Sequence, residues 1–314
     1  MSKSRNDTSG PVARKVLKAL EKERKRNTID FDALQIGAKR AAELERGSIT
    51  EAGMSDLDPL HAVYAYAQNR ISVLVEQLTG LPPCARLAQA YEEAEDEYMP
   101  SGPPMSPLTM SYFFCWGVFD SSVGDGRETL GTVAIEVGSA LGMEDSLMAL
   151  FRHMQESRMG FYMHQGTNDS LVLLKELITG KERSCVVPAG YMGRPGEMWF
   201  VRVLPEPFEA MNTGRSVVFN TPYVIGTWQK NRFSPANPQS WEGFFDRTLP
   251  KTGIGEACEA YAHLMKYGLT PNYWNEYVME AYVNHRQDMI LLAGFPDVPS
   301  SRPHSRMTED LGQE

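Results

Sequence analysis

LLKELITGKERSCVVPAGYMGRPGEMWFVRVLP, Leu173–Pro205, is the stretch whose reading decides the fold. Short runs rich in β-formers alternate here with glycine turns. Working outward from it, the runs are Phe161–His164, Leu171–Leu177, Ser184–Val187 and Met198–Leu204. A fifth, Ser216–Phe219, leads into Tyr223–Ile225. Gly166 to Asp169, Thr179-Gly180-Lys181 and Gly190 to Gly196 separate them, which reads as hairpins in a small sheet or barrel. Thr179-Gly180 is the sharpest turn signal, because glycine reaches φ > 0 without steric cost. In Met198–Leu204, Met198, Phe200 and Leu204 share one parity with Arg202, and Trp199, Val201 and Val203 share the other. A strand apolar on both parities is buried on both faces or closes a barrel. Leu171, Leu174 and Ile178 would also line one face of a helix; the flanking turns favour a strand.

The segment resembles a small β-barrel segment found in various bacterial proteins. The resemblance is carried by Leu177, Thr179 and Gly180 of a Leu-x-Thr-Gly hairpin, by the Gly196-Glu197 turn, and by Arg202 to Pro205 at the end of a strand. Such segments often accompany the cysteine-rich SEC-C metal motif. That cysteine cluster is missing from this sequence, so no metal role is carried over. The wider chain resembles uncharacterised bacterial proteins. The resemblance implies a fold, not an activity.

The sequence around this centre is read as an α+β protein: a helical N-terminal block, a central small antiparallel β-barrel-like sheet, and C-terminal helices. The divisions are a basic, partly disordered helical arm (1–55), a helical region (56–158), the barrel-like module (159–227), and a C-terminal helical region with an extended tail (228–314). Val12 to Arg26 has helical character. Asp58-Pro59 starts the clearest helix, with a stripe of Leu60, Val63, Tyr64, Ala67, Ile71, Leu74, Val75 and Leu78, and Gly80 just beyond. Pro82-Pro83 opens the next, which runs into acidic Glu92–Glu97. Leu108–Phe119, apolar nearly all round, reads as a buried helix, and further helices begin near Glu128 and at Ser146. After the sheet, Ser234 to Ser240 reads as a loop, and Trp241–Thr248 and Glu256–Tyr267 as helices. Thr270-Pro271 is expected to cap a helix through about His285, and Asp288–Ala293 to form a last strand.

With 314 residues the chain can bury a sizeable core. A net charge of −9 argues against nonspecific binding to nucleic acid or anionic membrane by the body. The longest apolar run, Tyr112–Phe119, is far short of a bilayer span of ~20 residues. The N-terminus lacks the apolar run of a signal peptide, and Cys84, Cys115, Cys185 and Cys258 are widely spaced, so four reduced thiols in a cytoplasm are expected. Residues 1–26 carry nine Lys/Arg against three acids, +6, and with the whole chain at −9 the remainder carries −15. Such an arm is expected to hold nucleic acid only weakly and with salt sensitivity. Its deletion is expected to leave the melting temperature nearly unchanged.

Candidate chemistry is sparse. Gly124-Asp125-Gly126 and Gly190–Gly196 match no phosphate-binding motif. Glu259 and His263, with Glu280 and His285, offer metal-ligand types without metal-ligand spacing, and capping or solvation is the simpler reading. His153 and His164 flank the entry to the sheet and are candidate bases, but no nucleophile motif accompanies them. Tyr273, Trp274, Tyr277 and Tyr282 read as an aromatic helix face that packs on the core. The favoured binding surface consists of Tyr191, Arg194, Trp199, Arg202 and His164, a cation and aromatics on one rim. No catalytic residue, metal or cofactor is assigned. The expected function is a noncatalytic binding or regulatory module for a protein or small anionic ligand. The alternative is a hydrolase-like enzyme whose histidines and carboxylates meet only in the fold.

Overall fold

In a computed structural model of the protein, which describes residues 9–26, 56–98, 110–229, 232–269, 278–285 and 289–295, Leu173–Pro205 supplies parts of three strands of a closed five-stranded barrel. Strand β1 (Met159–Asn168) runs antiparallel to both β2 (Leu171–Glu176) and β4 (Met198–Pro205), and β2 pairs with β3 (Glu182–Val186). The spatial order β4-β1-β2-β3 is a Greek key. Strand β5 (Arg215–Val218) closes it, antiparallel to β4 and parallel to β3. The sheet is therefore mixed, not purely antiparallel as the hairpin signals suggested. The parallel pair arises because β5 returns to β3 from outside the hairpins.

The double apolar parity of β4 has its cause here. Trp199 and Val201 point into a barrel core with Tyr162, Val172, Leu174 and Cys185. Met198 and Phe200 point outward into a second core, against Phe161, Trp241, Phe245 and Tyr261. Phe161 sits with ring centroids 4.7 Å from Phe200 and 4.4 Å from Trp241. Truncating such a residue to alanine typically costs about 3–5 kcal/mol.

Beyond the barrel, β6 (Tyr223–Gln229) pairs with β4, with the short β7 (Arg232–Pro235), and in parallel with β9 (Ile290–Phe295). Strand β8 (Val278–His285) lies antiparallel to β9. The helix expected through His285 is therefore a strand over its described part. Val278, Tyr282 and Val283 are β-formers, and the ladder to β9 overrides the local helix signal. Residues 270–277, including Tyr273, Trp274 and Tyr277, lie outside the described residues. The loop expected over Ser234 to Ser240 holds the end of β7 and the start of a helix.

The N-terminal block contains α1 (Pro11–Arg26), α2 (Pro59–Thr79), α3 (Ala85–Tyr98), α4 (Met110–Cys115), α5 (Leu130–Ala140) and α6 (Asp145–Glu156). Asp58 caps α2 as Asp-Pro predicts, accepting from the Leu60 N–H at 2.9 Å. Its other oxygen takes Arg215 of β5 at 3.0 Å, and the Tyr64 hydroxyl donates to the Pro205 carbonyl at 2.7 Å. These contacts tie the block to the barrel. Gly80 follows α2, though in a right-handed conformation (φ −71°). The helix expected over Leu108–Phe119 is α4 followed by a π-helical turn, Trp116–Asp120, which delivers Asp120 to the interior. After the sheet come α7 (Pro238–Thr248) and α8 (Ala257–Tyr267). Among the described residues no helix is long and apolar enough to cross a membrane.

Candidate functional site

The predicted binding residues divide between two ends of the barrel. His164, Tyr191 and Trp199 gather around Glu197. The Tyr191 hydroxyl donates to Glu197 at 3.0 Å and the Trp199 indole N–H at 3.0 Å. The Trp199 ring centroid lies 5.3 Å from His164 and 5.5 Å from Tyr191. His164 Nδ1 accepts the Gly166 N–H at 3.1 Å, which puts the ring proton on Nε2, donated to the Met192 carbonyl at 2.8 Å. Both His164 and Trp199 are buried, so they plug this end and do not form a rim. Arg194 is exposed on the covering loop.

Arg202 stands apart from them. It is buried and ion-paired with Asp120, and its Nη1 donates at 3.0 Å to both the carbonyl and the hydroxyl of Ser157. Lys266 of α8 joins, donating to Asp120 at 3.1 Å and to the Ser157 carbonyl at 2.9 Å. Burial lowers the Lys266 pKa and the nearby Arg202 adds to the shift, with Asp120 opposing. Burial most strongly disfavours the Arg202 cation, but Asp120, Cys115 and Tyr112 together offset it and the pKa rises.

Toward the other end of β4 opens a cleft of about 200 Å³. Helix α6 contributes His153 and Glu156, and the turn after it Ser157 and Arg158. The barrel contributes Tyr162, Glu176, Lys181 and Arg183, with Val203 and Pro205 as an apolar wall. Nη1 of Arg158 donates to Glu176 at 2.7 Å, and the guanidinium lies 4.7 Å from the Tyr261 ring centroid. Burial works against the Arg158 charge, but Tyr261 and Glu176 push its pKa up on balance. The other Glu176 oxygen accepts the Thr179 hydroxyl. Gly160 leaves this pair its space: a Cβ there would lie 2.7 Å from Glu176 Oε1 and 2.8 Å from the Tyr162 ring.

Lys181 and Arg183 are exposed, and neither side chain has an ion-pair partner among the described residues. Sequence reasoning missed this group. Arg183 shares the inward parity of Cys185, a usable signal, but only the packing of α6 on the barrel brings Arg158 and His153 beside it.

His263 rests against the Tyr267 ring at 5.3 Å, with its pKa lowered by burial and then by Arg127, and Glu259 is exposed. Glu280 and His285 lie on β8. Among the described residues no three His, Cys, Asp or Glu side chains group as metal ligands. No protein-family model, curated protein or solved structure matches the chain.

Proposed function

We propose that the protein is a noncatalytic binding module that takes a small anion in the cleft at the barrel end. The observation that carries the reading is the uncompensated pair Lys181 and Arg183, set beside an Arg158 whose own charge is already met by Glu176. Barrel mouths are common ligand sites, and a cleft of about 200 Å³ suits a metabolite-sized ligand better than a drug-sized one. The hydrolase-like alternative is weaker, because these histidines do not converge: His153 lines the cleft, but His164 is spent at the far end of β4 and His263 packs on Tyr267. Five-stranded Greek-key barrels also serve as oligonucleotide-binding modules through their β2–β3 surface. Here the outward residues of that surface are Leu171, Leu173, Lys175, Glu182 and Ser184, with no aromatic platform for bases. A bacterial, cytoplasmic setting follows from the resemblance of residues 173–205 and from the scattered cysteines.

Calorimetric titration with inorganic phosphate and with succinate at low ionic strength tests the reading. Saturable binding that weakens at least about tenfold in the Lys181→Gln/Arg183→Gln double variant supports it. Absence of binding, or binding indifferent to both changes, refutes it.

A further inference from the structure

The charges left in the cleft are not all of one sign, and their arrangement specifies more than an anion. Arg158 and Glu176 neutralise each other. Lys181 and Arg183 remain on the β2–β3 hairpin, and Glu156 remains at the end of α6. His153 lies three residues before Glu156, on the same face of that helix. The hairpin wall of the cleft thus carries two cations, and the helix wall a carboxylate at the negative end of a helix dipole. A plain dianion satisfies the first wall and is repelled by the second.

A molecule with two carboxylates and one ammonium matches both walls, and its net charge of −1 complements a cleft of net +1. Val203 and Pro205 give its short carbon chain an apolar surface. Tyr162 also lines the cleft, and its hydroxyl is a donor suited to a carboxylate oxygen. Its pKa is raised, chiefly by burial and next by Glu176, which keeps it protonated. We propose that the cleft is a site for a small amino-dicarboxylate, with Lys181 and Arg183 on its carboxylates and Glu156 on its ammonium group. The proposal rests on the reading of the cleft as an anion site and names the class of anion.

The test is calorimetric titration of the full chain at low ionic strength with L-aspartate and L-glutamate, each against its deamino analogue, succinate or glutarate, and with inorganic phosphate. The amino acids are expected to bind about two- to fivefold more tightly than the analogues, the worth of one exposed ion pair. Glu156→Gln should erase that preference while leaving the analogues' affinity unchanged or improved. Arg183→Gln should weaken both series. Both substitutions are at exposed positions, and an unchanged melting curve establishes that the variants are folded. Equal or tighter binding of the deamino acids overturns the amino-dicarboxylate assignment and leaves the anion site standing. Failure of every acid and of phosphate to bind overturns both.

Discussion

Asp120 and Arg202, 82 residues apart in sequence, meet as an ion pair whose side chains are 5% and 1% exposed. The pair joins the π-helical turn of the N-terminal block to the central strand of the barrel. Lys266 extends it to α8, and Ser157 to the end of α6. Four parts of the chain therefore converge on one buried cluster, in which a single carboxylate faces two cations and Arg202 Nε is buried without a hydrogen-bond partner among the described residues. Replacing a buried ion pair as a whole can be neutral, but removing one partner strands the other. Asp120→Asn strands two. It is expected to destabilise the protein by at least about 3–5 kcal/mol, read as a large fall in the urea midpoint. A midpoint within about 1 kcal/mol of the parent would mean that the cluster is solvated and does not join these elements.

The four cysteines are free thiols, with Cys84, Cys115 and Cys185 buried and Cys258 exposed. Burial pushes Cys84 and Cys115 up to about 11 and Cys185 up to about 12. At pH 8 each buried thiol is then ionised on the order of one part in a thousand or less. An aromatic disulfide reagent should titrate one thiol quickly in the native protein and four after unfolding without reductant. Two or more fast native thiols would contradict the burial. Fewer than four in denaturant would contradict the free-thiol state.

Local physics made much of the barrel legible. The parity of β4 and the Thr179-Gly180 turn are properties of a few adjacent residues, and Gly180 does sit at φ +66°. The Asp58-Pro59 cap was equally local. What stayed hidden depends on distant partners. Strand β8 exists because β9 lies beside it, and the parallel β3–β5 pair because β5 returns across the ring. Arg202 carried the right chemistry for a binding residue, but its partner Asp120 arrives from another part of the fold. For the same reason the Arg158, Lys181 and Arg183 group was invisible: its members belong to a helix end, a turn and a strand. His164, Trp199 and Tyr191 lie together, and Glu197, the Met192 carbonyl and the Gly166 N–H engage their polar atoms.

The basic arm reverses one expectation. Its first helix is not a solvated appendage: Ala13 and Val16 are buried in the helical core, with Val12, Leu17 and Leu20 packed against it. The first N–H groups of a helix lack partners within it. Here the buried Glu128 carboxylate accepts from Val12 at 2.9 Å and from Ala13 at 3.1 Å. A carboxylate at a helix N-terminus gains from the dipole as well as from these bonds. Arg14, Lys15, Lys18 and Lys22 stay on the exposed side, which explains how so basic a helix docks on an acidic body. Removing residues 1–26 should therefore lower the melting temperature by several degrees, since it uncovers apolar core and leaves Glu128 without its donors. Glu128→Gln keeps the side chain's size and weakens the charged hydrogen bonds, at an expected cost of about 1–3 kcal/mol. Val16→Asp should cost more. If the truncated protein melts with the parent, the helix is not seated in the core, and its charge would be its whole contribution.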